Sequence, residues 1–257
     1  MYQQPNTPQS IGGVLDSGFK LYRESLSQAY LLGAIWALVT APVNLLQPYI
    51  VRSGFPGDLF GMIGLGILAM AIVAVVLYAA LIARIDAVAR GAPISLGQAL
   101  SLGLQRTPAM ILAGILAVVV AFIGLCLLVI PGLIVIVWLV FAPFAVVIER
   151  RGPIESLSYS RAIVRGNWWR TAALLTIIGI VLMVVYLLFA VAISIAVVSD
   201  PAAASAGEVP WYVTLIVAPA LSAVIAPLTY ALMLAIFYDL RLRHEGGDLA
   251  ARIAATA

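Results

Sequence analysis

The chain has 257 residues, of which 64% are hydrophobic and 10% are charged, and its formal net charge is +3. Soluble domains carry about 25% charged residues, so this composition excludes a soluble globular fold, which would expose too much apolar surface to water. A bilayer core of about 30 Å needs about 20 helical residues to cross. Five stretches without any charged residue are long enough, at residues 25–51, 59–83, 107–148, 171–199 and 209–238. We therefore predict a single all-α polytopic membrane domain over residues 1–257.

The first predicted element is an amphipathic helix that precedes the first span. Its apolar stripe has helical spacing and consists of Ile11, Leu15, Gly18, Tyr22 and Leu26. A second amphipathic stretch precedes the third span, and Ser95 with Gln98 forms a capping-box pattern that predicts its start. Helices of this kind lie along the membrane surface as short interfacial helices. Packing on the end of the bundle explains the same pattern.

Residues 107–148 must contain two spans. A single helix of this length would measure about 63 Å, which is roughly twice the bilayer core. Pro131-Gly132 lies near the middle and predicts a hairpin, because proline and glycine end helices and favour turns. The prediction is then six spans near residues 29–47, 59–83, 108–130, 132–149, 171–197 and 211–238.

Six spans place both termini on one side of the membrane. All basic residues except Arg52 then fall on that side, whereas Asp58, Asp200 and Glu208 fall on the other. Basic residues concentrate in cytoplasmic loops. The charge pattern thus predicts a multi-pass protein of the inner (plasma) membrane with both termini in the cytoplasm.

A weak internal repeat supports a regular architecture. The stretches Arg90–Ile94 and Arg150–Ile154 resemble each other, and each leads through a polar-apolar segment into two spans. The N-terminal stretch leads into the first two spans in the same way. Three copies of an interfacial helix plus two spans explain this pattern, and chance similarity of short motifs is the alternative.

Few residues could carry chemistry. The chain has one histidine, His244, and one cysteine, Cys126, so a metal cluster of these residues is not possible. It has no glycine-rich phosphate loop, and the predicted spans contain no ionisable residue of the kind that coupled transporters keep at membrane depth. We expect no enzymatic activity, no cofactor and no nucleic-acid partner. Four prolines within the predicted spans predict kinks, which either open a cavity or only adjust packing: Pro42, Pro143, Pro219 and Pro227.

The richest segment for binding is residues 149–170. Arg161 and Arg165 have the i, i+4 spacing of one helix face, and Trp168, Trp169 and Arg170 mark the entry to the fifth span. Tryptophan prefers the membrane interface, and arginine binds phosphate with two hydrogen bonds. These five residues together with Glu149 are a candidate site for an anionic lipid headgroup or a phosphate-bearing ligand. The alternative is topology anchoring with an ion pair from Glu149 to Arg161 or Arg165.

Several motifs in the middle of the chain resemble a bacterial six-span inner-membrane protein family. They are Ile130-Pro131-Gly132-Leu133, Phe141-Ala142-Pro143, Glu149-Arg150-Arg151-Gly152-Pro153-Ile154 and Ser160–Trp169. That family is related to the membrane domain attached to some glycerophosphodiester phosphodiesterases. The resemblance implies six spans, but no residue here matches the soluble catalytic domain of those fusions, so it implies no phosphodiesterase activity.

The sequence leaves three classes of function open. We favour a non-enzymatic membrane protein that binds, organises or helps to transport lipids or other amphiphiles. The alternative is a small-solute permease or transporter subunit. An intramembrane enzyme is the third class, and the residue inventory argues against it. Membrane lipids are the expected partners.

Overall fold

The structure is a computed structural model, and it describes residues 2–53, 60–199, 210 and 212–256. Within these residues the secondary structure is helical and no strand occurs. A π-helical segment, Val213–Val217, leads into the last helix. The α-helices are α1 Ile11–Ser53, α2 Phe60–Ala89, α3 Leu96–Leu127, α4 Val129–Leu139, α5 Ala142–Val147, α6 Pro153–Val164, α7 Trp168–Ser199 and α8 Ala218–Thr256.

Five stretches of the described chain are helical, apolar and long enough to cross a membrane, as a multi-pass protein requires. They are Gly64–Ala89, Leu96–Leu127, Val129–Val147, Trp168–Ser199 and Ala218–Gly246. The predicted first span, residues 29–47, lies within α1, but the side chains from residue 40 onwards lie outside the described part of the chain. Asp58, Asp200 and Glu208, which the sequence places on one side of the membrane, also lie outside it.

The first and last helices pack against each other along their lengths in antiparallel directions. Gly18 faces Leu232 and Gly33 faces Ala223. A Cβ atom on Gly33 would lie 2.7 Å from the Cα atom of Ala223, closer than Cβ atoms pack, so only glycine permits this approach. The two glycines thus bring the backbones of α1 and α8 into contact.

The tightly packed part of the core lies in one half of the bundle. The buried residues of α2 run from Leu77 to Ala89, and those of α7 run from Thr171 to Ile178. Phe141, Phe144 and Phe237 form an aromatic cluster there, with ring centroids 5.9–6.3 Å apart. We call the adjoining end of the bundle, which carries residues 9, 90–95, 149–153 and 239–246, the charged end, and the opposite end the far end.

The predicted separate interfacial helices are wrong for the first two stretches. Residues 11–26 form the start of α1 and residues 96–105 form the start of α3, and each helix continues into the following apolar segment. In α3 the helix continues through Pro108 without a break. The capping box at Ser95 and Gln98 is confirmed, with hydrogen bonds of 2.9 and 3.2 Å. Only α6 is a short helix separate from a span.

These stretches pack against the bundle, as the alternative interpretation predicted. Ile11, Leu15 and Tyr22 of the predicted stripe in α1 are half-buried against the core. The neighbouring Val14 and Leu21, and Ala99 of α3, are fully or almost fully buried. A Cβ atom on Gly103 would lie 2.5 Å from the carbonyl oxygen of Val76 in α2. The apolar stripes therefore contact neighbouring helices.

The predicted hairpin forms between α3 and α4, but it turns at a different residue. Leu128, not Pro131-Gly132, is the single extended residue between the two helices, with φ −163° and ψ 146°. Pro131 occupies the third position of α4, where a helix N–H has no intrahelical partner, so proline is tolerated there. Gly132 instead allows the two helices to touch, because its Cβ atom would lie 2.7 Å from the amide nitrogen of Leu125.

Two of the predicted prolines lie beside irregular backbone. α4 ends at Leu139 and α5 begins at Ala142, one residue before Pro143, so the fourth apolar segment is broken near its end. Pro219 follows the π-helical segment and has no N–H for the regular helical hydrogen bond. Pro42 and Pro227 lie in helices that continue through them.

The helices that contain the predicted spans continue into ionisable residues at the charged end. The candidate span Gly64–Ala89 includes Arg84 and Asp86, and the candidate span Ala218–Gly246 includes Asp239. The sequence-based boundaries ended these spans just before the charged residues, whereas the helices continue through them. The acidic groups are buried because other helices of the bundle surround them.

Candidate functional site

A buried carboxylate joins three parts of the chain at the charged end. Asp239 of α8 accepts hydrogen bonds from Arg170 of α7 at 3.0 Å and from Arg243 at 2.9 Å. The Asp239 side chain is 2% exposed, and the two arginines are 19% and 26% exposed. The backbone N–H of Gln9 donates to the same carboxylate at 2.8 Å. We call Gln9, Arg170, Asp239 and Arg243 the Asp239 node.

The Asp239 node also fixes the segment before α1. Both arginines donate through Nη2 to the carbonyl oxygen of Gln9, at 2.6 and 2.7 Å. The Ser17 hydroxyl donates to Oε1 of Gln9 at 2.9 Å. Two arginines and one aspartate leave the node with one excess positive charge, and the carbonyl oxygen of Gln9 compensates part of it.

A second buried carboxylate, Asp86 of α2, contacts α8. The hydroxyl of Tyr238 donates a short hydrogen bond to Oδ1 of Asp86. Arg90, one residue beyond the end of α2, donates to the same oxygen at 3.1 Å. Tyr238 and Asp239 are neighbours in α8, so hydrogen bonds from one turn of this helix connect it to both α2 and α7.

A third group of polar side chains lies near α6. Oε1 of Glu149 lies 2.8 Å from Nη1 of Arg241, an ion pair whose orientation does not make a regular hydrogen bond. The guanidinium of Arg151 stacks over the ring of Tyr159 at 4.1 Å. Burial, with the nearby charge of Glu149, raises the pKa of Tyr159. Tyr159 therefore remains a neutral hydrogen-bonding group at physiological pH.

Tyr2, near the N-terminus, is also buried. Its ring is 9% exposed, and its hydroxyl has no hydrogen-bond partner among the described residues. Burial raises the pKa of Tyr2 to about 12. A small cavity borders this ring and Asp239, and a shallow cavity of about 600 Å³ is lined by Asn6, Asn167, Arg243 and Glu245, among others.

A basic and aromatic surface lies on the outside of α4, α6 and the start of α7. The guanidinium of Arg161 lies over the ring of Trp138 at 4.8 Å. The indole N–H of Trp168 donates to the carbonyl oxygen of Ile134 at 3.3 Å, and Trp169 packs edge-on against Trp168 at 4.7 Å. We call Trp138, Arg161, Arg165, Trp168 and Trp169 the basic-aromatic border.

The turn between α6 and α7 positions this border. α6 ends at Val164, and Gly166 has φ 88°, a left-handed conformation that glycine adopts without strain. The N–H of Asn167 donates to the carbonyl oxygen of Val164 at 2.9 Å. α7 then starts at Trp168 with Trp169 81% exposed, so one indole contacts α4 and the other faces outwards.

The six predicted site residues do not form one site. Arg161, Arg165, Trp168 and Trp169 belong to the basic-aromatic border, whereas Arg170 belongs to the Asp239 node and Glu149 pairs with Arg241. The predicted ion pair from Glu149 to Arg161 or Arg165 is therefore wrong, because Glu149 faces α8. Arg165 also lies one residue beyond the end of α6, so the two arginines do not share a helix face as predicted.

The sequence-based search missed the buried acids. Asp86 has Arg90 at i+4 and Asp239 has Arg243 at i+4, a spacing typical of ion pairs on one helix. Each pair directly follows a long apolar segment, and this combination is the signal that could have identified them. In the part of the chain that the structure describes, no group of three or more His, Cys, Asp or Glu residues could hold a metal ion.

Comparison with known proteins identifies a family. Residues 59–240 match the family described as Domain of unknown function (DUF7847), and this match covers more than half of the chain. The chain belongs to that family. It matches no curated protein and no solved structure.

Proposed function

We propose that this protein is a non-enzymatic inner-membrane protein that binds anionic lipid headgroups at its basic-aromatic border. In this proposal six spans cross the membrane, both termini lie in the cytoplasm, and the charged end faces the cytoplasmic leaflet. The positive-inside distribution of the basic residues supports this orientation. The resemblance to the membrane domains attached to some phosphodiesterases supports a role beside lipids, without their catalytic chemistry.

The arrangement of Arg161 and Arg165 is the observation on which the proposal depends. Within the described residues, no acidic group lies at ion-pair distance from either guanidinium, whereas Arg90, Arg170, Arg241 and Arg243 are paired. Stacking on Trp138 orients the Arg161 guanidinium while its N–H groups remain available as donors. Phosphate is, with carboxylate, a ligand that a guanidinium binds with two parallel hydrogen bonds.

The two neighbouring indoles fit a membrane interface. Trp169 is 81% exposed, and a ring of this size exposed to water would be costly, whereas indole is favoured at headgroup level. Anionic lipids of the cytoplasmic leaflet attract basic residues by about 1 kcal/mol each near the surface. The basic-aromatic border thus combines indole rings suited to the membrane interface with guanidinium groups that can bind anionic headgroups.

Lipid copurification tests this proposal. The double variant Arg161→Ala with Arg165→Ala should retain less phosphatidylglycerol and cardiolipin than the wild type, measured by native mass spectrometry and lipid extraction. Lys20→Ala with Arg23→Ala removes two exposed basic residues from α1 and is the matched control for net charge. Equal retention by the two double variants would refute the proposed site.

A small-solute permease is the second candidate function. Asp86, buried in a candidate span and bound to Tyr238, is the observation that favours it, because intramembrane carboxylates often serve proton-coupled transport. Proteoliposomes with an internal pH dye would show proton entry that Asp86→Asn abolishes. No protein-dependent proton movement in either form would argue against this candidate.

A further inference from the structure

The tip of the α3–α4 hairpin is an exposed surface without any polar side chain. Leu127, Leu128 and Ile130 are 74%, 68% and 72% exposed, which is among the highest values for large apolar residues in the described chain. Residues 108–148 contain no charged, hydroxyl or amide side chain. A turn that emerged into water would leave this whole patch in contact with solvent.

The backbone of the turn is suited to hydrocarbon. The N–H of Leu128 donates to the carbonyl oxygen of Gly124 at 3.1 Å, and its carbonyl oxygen accepts from Gly132 at 3.2 Å. The only extended residue of the turn therefore has both of its polar backbone groups paired. Pro131 contributes no N–H, which removes one of the donors that a helix start leaves unpaired. Unpaired backbone groups are costly in the bilayer core, so a turn of one extended residue, which leaves few of them, is favoured there.

The two arms of the hairpin are about as long as the hydrocarbon core is thick. From Thr107 to Leu127, α3 rises about 31 Å, whereas the returning segment Val129–Val147 rises at most about 28 Å and is broken at residues 140–141. The hydrocarbon core is about 30 Å thick. With Arg106 and Glu149 held at the charged end, the tip reaches no further than the far edge of that core.

The other two segments that the sequence predicts for this side of the membrane have a different composition. Residues 52–58 include Arg52 and Asp58, and residues 200–208 include Asp200 and Glu208. Charged residues at these connections can be solvated beyond the membrane. The connection at residues 127–130 has none, although it joins two helices of the same bundle.

We infer that the α3–α4 tip is a lipid-contacting surface that remains among the acyl chains of the far leaflet and does not enter the aqueous compartment. The third and fourth proposed spans then form one hairpin that crosses the core from the charged end and has its tip in the hydrocarbon of the far leaflet. The close contact between Gly124 and Gly132 makes it compact enough to do so, because a Cβ atom on Gly124 would lie 3.1 Å from the Cα atom of Gly132.

The native protein carries its own reporter at this position. Cys126 is the only cysteine of the chain, and it is exposed at the tip. A methanethiosulfonate spin label attached to it in detergent, followed by reconstitution into phosphatidylethanolamine–phosphatidylglycerol vesicles, allows collision rates with oxygen and with a water-soluble nickel chelate to be measured. Oxygen concentrates in hydrocarbon, and the chelate remains in water.

Two matched sites in a Cys126→Ala background calibrate the measurement. Ile180→Cys labels an exposed apolar position of α7, and Ser158→Cys labels an exposed position of α6 at the charged end. We expect the ratio of oxygen to nickel collisions at Cys126 to equal that at Ile180→Cys and to exceed that at Ser158→Cys severalfold. Nickel access like that of Ser158→Cys would overturn the inference by placing the tip in water. Low access to both reagents would overturn it as well, since protein, not lipid, would then cover the tip.

Discussion

Replacement of Asp239 by asparagine tests whether the buried carboxylate holds the charged end together. Asparagine preserves the size of the side chain and one acceptor oxygen, but it removes the negative charge between Arg170 and Arg243. The carboxylate accepts charge-assisted hydrogen bonds from both arginines at 2.9–3.0 Å. The substitution thus leaves two cations close together with no counter-charge.

The expected loss of stability follows from the burial of the three groups. Removing one partner of a buried ion pair destabilises a protein by about 3–5 kcal/mol, because the remaining charge is left uncompensated. Here Asp239 is 2% exposed, whereas the arginines are 19% and 26% exposed and recover part of their hydration. We therefore expect the lower end of that range, about 3 kcal/mol. For a chain of roughly this size, that corresponds to about 6–12 °C in the unfolding midpoint.

The assay is the thermal midpoint of the purified protein, followed by fluorescence-detected size-exclusion chromatography after heating. Asp16→Asn is the matched control, since Asp16 also has a basic partner at i+4, Lys20, but both side chains are more than 60% exposed. An exposed pair of this kind contributes about 0–1 kcal/mol. If Asp239→Asn melted within about 2 °C of Asp16→Asn, the reasoning about the buried charge would be refuted.

Three further substitutions test packing and exposure. Gly33→Ala should lower the free energy of unfolding by about 1–3 kcal/mol, because its new methyl group has no room against α8. Gly12→Ala is the control and should not lower it, because the Cβ position of Gly12 faces open space. The thermal midpoints of the two variants distinguish these outcomes. Tyr238→Phe should lower the free energy of unfolding by about 1–3 kcal/mol, because it removes one of the two donors to the buried carboxylate of Asp86. Tyr186→Phe, at an exposed site, should leave the midpoint unchanged. Trp169→Ala should leave the midpoint within about 2 °C of the wild type and lower lipid retention; a large loss of stability would show that this indole packs inside the protein.

Local signals in the sequence predicted local structure well. The capping box at Ser95 and the break near Pro143 are each determined by residues within one or two turns, and both are present. The hairpin was also predictable, because a helix of about 63 Å does not fit a bilayer. The residue at which the hairpin turns was not predictable, because proline is accepted both in the first turn of a helix and just before it.

The parts of the site that depend on distant partners could not be read from the sequence. Glu149 was predicted to pair within its own segment, but α8 presents Arg241 to it. Arg170 directly follows Trp168 and Trp169 of the basic-aromatic border, yet it points into the bundle towards Asp239. Spacing along one helix shows which residues share a face, and only the packing of helices shows what that face meets.

The pairing of the first helix with the last has a consequence for biogenesis. α1 leaves the ribosome long before α8, which carries the surface that receives Gly18 and Gly33. During translation the glycine face of α1 must therefore lie against lipid or an insertion factor until α8 has been made. Closure of α1 on α8 then follows the synthesis of all the helices between them, and a chain truncated before α8 would leave α1 without its principal neighbour.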